Sequence, residues 1–215
     1  MHHATAILFD LDGTLLNTLS DLRNSLNYAL AAHHLPTRTL SQVRHDVGNG
    51  VRVLVERSIT DASDELVDSV LSTFRPHYAQ HALDTTLPYP GILDMLSRLR
   101  SRGTQTAIVS NKPDAQVRAL HERFFPDLID TAIGEQQPLV RRKPAPDMVN
   151  IAMLRLHALP AKTVYVGDSE VDLQTAANAR IPCIACTWGF RTRGKLLHAG
   201  ATTLIDSPEQ LDDIL

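Results

Sequence analysis

Short apolar runs alternate with amphipathic helical patterns along most of this chain. Apolar residues at 92, 95, 96 and 99 form a helical stripe that Gly103 closes, and residues 106–109 then follow as a predicted strand. After a helix that begins at Pro113, further strands are predicted at 128–133, 164–166, 183–186 and 203–205, with helices near 146–157 and 170–179. Strands that alternate with helices are typical of a doubly wound, Rossmann-like parallel sheet, and the predicted fold class is therefore α/β.

The first predicted strand, the apolar run at 6–8, is separated from the others by a long helical segment. Residues 19–83 show only helical patterns, such as the stripe of Leu22, Leu26 and Leu30. We therefore predict two domains. Residues 1–16 and 84–215 form an α/β core, and residues 17–83 form a small all-helical domain inserted after the first strand.

Charge and hydrophobicity exclude several classes of partner. The net charge is −3 and no apolar run reaches 18 residues, so neither a basic nucleic-acid-binding surface nor a membrane span is expected. The start of the chain, Met1-His2-His3-Ala4, lacks the charged and apolar regions of a signal peptide, and a cytoplasmic location is expected.

The two cysteines, Cys183 and Cys186, have the C-x-x-C spacing of redox and zinc motifs. They lie in a predicted strand, however, where residues three apart face opposite sides of the sheet. We therefore expect two small buried side chains rather than a disulfide or a metal site.

Two carboxylates follow the first predicted strand directly, in the segment Phe9-Asp10-Leu11-Asp12-Gly13-Thr14-Leu15. A buried parallel strand delivers the residues after it to the carboxyl edge of the sheet, where α/β proteins bind ligands. Asp10 and Asp12 share one side of an extended backbone, so their charges repel each other. A cation or a raised pKa relieves that repulsion, and either one indicates a chemical site.

Other polar residues follow later strands. Ser110 and Asn111 end the strand at 106–109, where a hydroxyl and backbone N–H groups can hold a phosphate oxygen; a helix cap is the plainer alternative for the serine. Lys143 precedes the first of two prolines that stiffen its loop. A stiff loop favours one placed cation that neutralises a phosphoryl group, whereas the alternative is a solvated basic turn.

Two more acids follow the strand at 164–166. Asp168 comes directly after Gly167, and Asp172 lies four residues later, in the first turn of the next helix. Acids at a helix start also serve as caps, and that alternative stays open for Asp172. Together with Asp10 and Asp12 they form an oxygen-only ligand set, which indicates Mg²⁺ rather than zinc.

The order and strand-end setting of these residues resemble the four motifs of the haloacid dehalogenase-like hydrolase superfamily. The matching segments are Asp10-Leu-Asp12-Gly-Thr14, Ser110-Asn111, Lys143-Pro144 and Gly167-Asp168-Ser-Glu-Val-Asp172. The helical insert is similar to the superfamily's small helical cap, and its segment Val47-Gly48-Asn49-Gly50-Val51 resembles the phosphoglycolate phosphatase branch. The resemblance implies an α/β core of the haloacid dehalogenase type with a helical cap domain.

The resemblance also implies a role for each motif residue. Asp10 is the nucleophile that forms an aspartyl-phosphate, and Asp12 is the general acid and base. Lys143, together with Ser110 and Asn111, clamps the phosphoryl oxygens.

A magnesium site follows from the same resemblance. Its ligands are the Asp10 carboxylate, the Asp12 backbone carbonyl and Asp168, with Asp172 supporting from nearby or through water. The expected cofactor is Mg²⁺, and the expected partner is a small phosphorylated metabolite.

The cap is expected to contact the substrate. Gly48, Asn49 and Gly50 can let the backbone approach a small substrate closely, although a simple break between two helices explains them equally well. Arg52 can bind a substrate carboxylate with two hydrogen bonds.

The predicted function is a magnesium-dependent phosphatase for a small phosphomonoester, with 2-phosphoglycolate as the favoured substrate. The alternatives are an inorganic pyrophosphatase, a broad sugar-phosphate phosphatase and, in another class, a phosphomutase of the β-phosphoglucomutase type. Such mutases commonly have valine where this chain has Thr14. The sequence leaves the oligomeric state open between monomer and homodimer.

Overall fold

The computed structural model of the chain describes residues 4–214. The segment Met1-His2-His3, on which the expectation about a signal peptide partly depends, lies outside the described residues. The chain divides into two compact units, one of Met1–Leu15 with Pro88–Leu215 and one of Leu16–Leu87. The assignment of these units as catalytic core and cap stays a prediction.

The secondary structure alternates as the sequence predicts. The strands are β1 (Ala6–Phe9), β2 (Leu16–Asn17), β3 (Leu87–Pro88), β4 (Gln105–Pro113), β5 (Thr131–Glu135), β6 (Thr163–Gly167), β7 (Cys183–Cys186) and β8 (Leu204–Ile205). The helices are α1 (Leu19–Ala32), α2 (Leu40–Asp46), α3 (Val51–Ser58), α4 (Asp64–His81), α5 (Ile92–Ser101), α6 (Asp114–Phe124), α7 (Asp147–Arg155), α8 (Glu170–Ala179), α9 (Arg193–His198) and α10 (Leu211–Ile214).

The larger unit contains a parallel sheet with the strand order β5-β4-β1-β6-β7-β8. The chain builds one side of β1 through β4 and β5, and then crosses to the other side to add β6, β7 and β8. All four residues of β1 are at most 1% exposed, as expected for a central strand covered on both faces. The predicted doubly wound α/β fold is confirmed.

Helices α7 and α8 cover part of this sheet with apolar side chains. Met148, Val149 and Ala152 of α7 pack in one buried cluster with Leu8 of β1 and Val109 of β4. This packing fixes the central strands, and with them the residues that follow each strand.

One local prediction is wrong at its edge. The strand predicted from 128 begins only at Thr131, because the amides of Leu128 and Ile129 both bond to the carbonyl of Phe125 in a helical turn.

Helices α1 to α4 form the smaller unit, and the predicted apolar stripe of α1 faces its interior. Leu22, Leu26 and Leu30 are each at most 6% exposed. Buried Asp21 accepts hydrogen bonds from the backbone amides and hydroxyls of Thr85 and Thr86, which ties the start of α1 to the end of this unit.

The two cysteines are both free thiols, and the prediction that both side chains are buried is correct only for Cys186. Cys186 is buried and Cys183 is half-buried, and burial raises the pKa of each thiol. Within residues 4–214, none of the helices combines the length and the apolar character needed to cross a membrane.

Candidate active site

The candidate site lies at the carboxyl ends of the three central strands. The strand order reverses direction at β1, and α/β proteins bind ligands at such a switch point. Asp10 follows β1, Ser110 and its neighbours lie at the end of β4, and Asp168 follows β6. The polar residues that the sequence singles out are thus brought to one edge because their strands are adjacent.

Three buried carboxylates form the centre of the site. Oxygens of Asp10, Asp168 and Asp172 all lie within 4.8 Å of one another. The ammonium of Lys143 lies 2.8 Å from a carboxylate oxygen of Asp10 and 2.8 Å from one of Asp172. When ionised, three carboxylates against one ammonium leave an excess negative charge that matches a divalent cation. Oxygen-only donors of this kind fit a hard cation such as Mg²⁺.

The electrostatics of these groups are strongly perturbed. Burial raises the pKa of Asp10 from 3.8 to about 7, although the charge of Lys143 opposes the shift. Burial also raises the pKa of Asp168, and the neighbouring charges of Asp172 and Asp10 add to the effect. Burial disfavours the charged form of Lys143, but Asp10 and Asp172 outweigh it and hold the pKa of Lys143 well above its usual range. The lysine is therefore a permanent cation at the centre of the site.

Asn111 and Tyr165 hold Lys143 in place. The backbone amide of Lys143 donates to Oδ1 of Asn111 at 2.7 Å, and the side-chain amide of Asn111 donates to the Lys143 carbonyl at 3.1 Å. The Lys143 ammonium also lies 3.1 Å from the Tyr165 hydroxyl. These contacts make Asn111 a positioning residue for the lysine, while its predicted contact with phosphoryl oxygens stays a prediction.

Asp12 is paired with a lysine to which the sequence analysis assigned no role. The ammonium of Lys112 lies 2.9 and 3.0 Å from the two carboxylate oxygens of Asp12, and the lysine side chain is only 3% exposed. Lys112 follows Ser110 and Asn111 directly, and this adjacency was the available signal. Ser110 itself is buried, and its hydroxyl accepts a bond from the Lys112 amide.

The segment after β7 supports Asp168 and the turn after β1. The amide of Phe190 donates to Asp168 at 2.6 Å, and the indole N–H of Trp188 donates to the carbonyl of Thr14 at 2.9 Å. Gly13 has a φ of +92°, and a Cβ there would lie 2.4 Å from the Asp168 carboxylate. The close approach of two backbone segments to Asp168 explains the glycine at this position.

Asp172 has two roles in the structure. Its Oδ2 accepts bonds from the amide and the hydroxyl of Ser169 at the start of α8, as a helix cap does. Its Oδ1 binds Lys143, and the residue is fully buried. The contacts with Ser169 thus agree with a helix cap, and the contact with Lys143 agrees with a place in the site. Metal binding by Asp172 stays a prediction.

The predicted cap residues belong to the smaller unit. Gly48 and Gly50 have positive φ angles of 124° and 89°, and Gly50 precedes the first residue of α3. The guanidinium of Arg52 forms ion pairs with three acids of its own unit, Glu56, Asp64 and Asp68. Substrate contacts by Gly48, Asn49, Gly50 and Arg52 stay predictions.

Comparison with known proteins identifies the family. Residues 7–186 match the model of the haloacid dehalogenase-like hydrolases. The chain belongs to this family. A phosphoglycolate phosphatase of Pseudomonas putida is 33% identical over 93% of this chain and 75% of its own length. One of Rhodobacter capsulatus is 37% identical over 87% of this chain and 86% of its own length.

A solved structure agrees with these relatives. A predicted phosphoglycolate phosphatase of Lactobacillus delbrueckii subsp. bulgaricus is similar with a TM-score of 0.94 and 37% identity, over 99% of this chain and 98% of that one. The chain therefore lies in the phosphoglycolate phosphatase-like branch of the haloacid dehalogenase-like hydrolases, and it is a phosphoric monoester hydrolase.

Proposed function

We propose that this protein is a magnesium-dependent phosphatase that hydrolyses a small phosphomonoester through an aspartyl-phosphate on Asp10, with 2-phosphoglycolate as its favoured substrate. The observation that carries the proposal is the buried cluster in which Lys143 bridges Asp10 and Asp172 beside Asp168. Such a cluster combines a nucleophile, a fixed cation and a ligand set for a divalent ion.

Asp10 is the proposed nucleophile. One of its carboxylate oxygens bonds to phosphorus as the bond between phosphorus and the ester oxygen breaks, which divides one difficult hydrolysis into two displacements. Lys143, fixed 2.8 Å from this carboxylate, holds it in place and balances charge on the phosphoryl oxygens. Ser110, at the end of β4, supplies a hydroxyl for the same oxygens.

Asp12 is the proposed general acid and base. It gives a proton to the leaving ester oxygen in the first displacement. In the second displacement it takes a proton from water, whose oxygen bonds to phosphorus while the Asp10 oxygen leaves. Free alcohol, inorganic phosphate and an unmodified Asp10 are the products.

The ligands proposed for Mg²⁺ are Asp10, the backbone carbonyl of Asp12, and Asp168, with Asp172 in support. When bound, the ion screens the repulsion between the anionic nucleophile and the anionic phosphate. The pKa values of Asp10 and Asp168 are raised without the ion. Binding of the ion would therefore favour loss of a proton from each of these two side chains.

The choice of 2-phosphoglycolate is supported by the relatives of Pseudomonas putida and Rhodobacter capsulatus, which are named phosphoglycolate phosphatases. An inorganic pyrophosphatase, a sugar-phosphate phosphatase and a β-phosphoglucomutase-like enzyme would use the same core residues. The substrate is therefore decided by measurement of kcat/KM for 2-phosphoglycolate, pyrophosphate, nucleotides and hexose phosphates, each with Mg²⁺ and with EDTA.

We expect Mg²⁺-dependent release of phosphate, with 2-phosphoglycolate ranking first and Asp10→Asn inactive on every substrate. Conversion of β-glucose 1-phosphate to glucose 6-phosphate without phosphate release would instead identify a mutase. Equal turnover by Asp10→Asn would refute the nucleophile, whereas a different first-ranked ester would refute only the substrate.

A further inference from the structure

Lys112 is a buried cation beside the proposed general acid. Its ammonium lies 2.9 and 3.0 Å from the two oxygens of Asp12, and its side chain is 3% exposed compared with 17% for Asp12. A buried ammonium is costly to desolvate and requires anionic partners, and it has three N–H donors with which to bind them. The question is which substrate group this cation can reach.

The position of Asp12 limits the distance between this ammonium and the leaving group. A general acid must come within about 2.6–3.2 Å of the oxygen that it protonates. The ester oxygen therefore lies one hydrogen bond from Asp12, and the Lys112 ammonium is hydrogen-bonded to both oxygens of the same carboxylate. A group bonded close to the ester oxygen is thereby brought next to Lys112.

A carboxylate on the carbon that carries the ester oxygen has the required spacing. Standard bond lengths place its nearer oxygen about 3 Å from the ester oxygen. The Lys112 ammonium can then donate a charge-assisted hydrogen bond of about 2.8 Å to this carboxylate oxygen. The ester oxygen, the substrate carboxylate oxygen, the Lys112 nitrogen and an Asp12 oxygen together form a closed ring of contacts. A carboxylate one methylene further away reaches the same position only in a folded conformer, so its binding costs the additional entropy of fixing one more rotatable bond.

We propose that Lys112 is a specificity-determining residue, which binds a substrate carboxylate located on the carbon next to the phosphate ester oxygen. The inference rests on the proposed function, because it takes Asp12 as the acid that meets that oxygen. It assigns recognition of the substrate's second anionic group to the larger unit of the chain. The alternative cation, Arg52, is already paired with three carboxylates, whose combined charge exceeds its own.

The test compares three phosphate esters on four proteins. The esters are 2-phosphoglycolate, its neutral isostere 2-phosphoglycolamide and the longer homologue 3-phosphooxypropionate. The proteins are the wild type, Lys112→Gln, Lys112→Arg and a control, Lys162→Gln, which removes the same charge from an exposed position. The values of kcat and KM are measured separately, with saturating Mg²⁺.

We expect Lys112→Gln to lose roughly ten- to hundredfold more kcat/KM on 2-phosphoglycolate than on the amide, mostly through KM, because one hydrogen bond between charged groups is removed. Lys112→Arg should restore part of the preference for the carboxylate, and Lys162→Gln should retain all of it. The wild type should prefer 2-phosphoglycolate to the longer homologue.

Equal losses on the acid and the amide would overturn the inference, since Lys112 would then act only through Asp12; the proposed function would stand. A wild type that hydrolyses none of these esters would instead refute 2-phosphoglycolate as the substrate in the proposed function. If Lys112→Gln does not fold, inhibition of the wild type by glycolate and by glycolamide decides the matter. Stronger inhibition by glycolate supports the inference, and equal inhibition overturns it.

Discussion

Removal of divalent cations is predicted to make the stability of the larger unit fall as the pH rises, because the pKa values of Asp10 and Asp168 are raised in the folded protein. Burial raises the pKa of Asp10 from 3.8 to about 7 in the folded protein, with the charges of Asp172 and Asp12 adding to the effect and that of Lys143 opposing it. Between these two values the folded state holds a proton that the unfolded state has released. The unfolding free energy must therefore decrease with pH over this range.

The magnitude follows from the size of the shift. One pKa unit corresponds to about 1.4 kcal/mol, so a shift from 3.8 to about 7 amounts to about 4 kcal/mol. This contribution is fully present below pH 3.8 and is lost as the pH rises through about 7. Mg²⁺ binds the ionised carboxylates, so adding it should restore stability most strongly at the upper end of the range.

The assay is urea unfolding followed by the fluorescence of Trp188, which is the single tryptophan of the chain and lies in the larger unit beside the turn after β1. Wild type and Asp10→Asn are compared in EDTA and in Mg²⁺ at several values between pH 4 and pH 8. In EDTA the variant should gain about 3 kcal/mol relative to the wild type from pH 4 to pH 7, where Asp10 is half-titrated, and the rest of the difference above pH 7.

The comparison with Asp10→Asn cancels the contribution of titrating groups that do not interact with Asp10; the shift at Asp168, which the charge of Asp10 increases, is part of the measured difference. Mg²⁺ should then stabilise the wild type at pH 7.5 more than the variant. A difference between the two proteins that does not change with pH in EDTA, or one that changes with the opposite sign, would refute the electrostatic description of this cluster.

Three further predictions concern neighbouring residues. Lys143→Met should cost about 3–5 kcal/mol of unfolding free energy near neutral pH, because it leaves two buried carboxylates without their cation; a loss below 1 kcal/mol in urea unfolding would contradict this. Gly13→Ala should raise the Mg²⁺ concentration for half-maximal activity, since the added Cβ would lie 2.4 Å from the Asp168 carboxylate. The control is Gly103→Ala, where φ is also positive, at +73°, but the space around the added Cβ is open; this variant should leave that concentration unchanged. Asp12→Asn should lower kcat/KM, which reports the first displacement, by about 10²–10⁴ for alkyl phosphates and much less for an aryl phosphate, because an aryl leaving group does not need the proton; an equal decrease of kcat/KM for both esters would argue against Asp12 as the acid.

The fold was accessible from sequence because hydrophobic periodicity depends on local neighbours. The buried strand at 6–9 and the stripe of Leu22, Leu26 and Leu30 are both patterns within one element. Element ends were less accessible. The strand that begins at Thr131 rather than at 128 depends on backbone bonds back to Phe125, which no periodicity reveals.

The site was accessible where a residue follows a strand directly, since parallel strands bring their ends together. Asp10 and Asp168 are such residues. Lys112 was missed because its significance lies in a contact with Asp12, which is 100 positions away in the sequence. Likewise, the acids around Arg52 come from two different helices, so the sequence did not show that its charge is already balanced.

The most direct test of the proposed mechanism is chemical trapping of the phosphorylated enzyme. The protein is mixed with Mg²⁺ and 2-phosphoglycolate, quenched in acid during turnover and reduced with borohydride, which converts an aspartyl-phosphate to homoserine. Peptide mass spectrometry then locates the homoserine. We predict homoserine at position 10 alone, with none when substrate is omitted. Turnover without homoserine at position 10, or homoserine at position 12 instead, would contradict the assignment of Asp10 as the nucleophile.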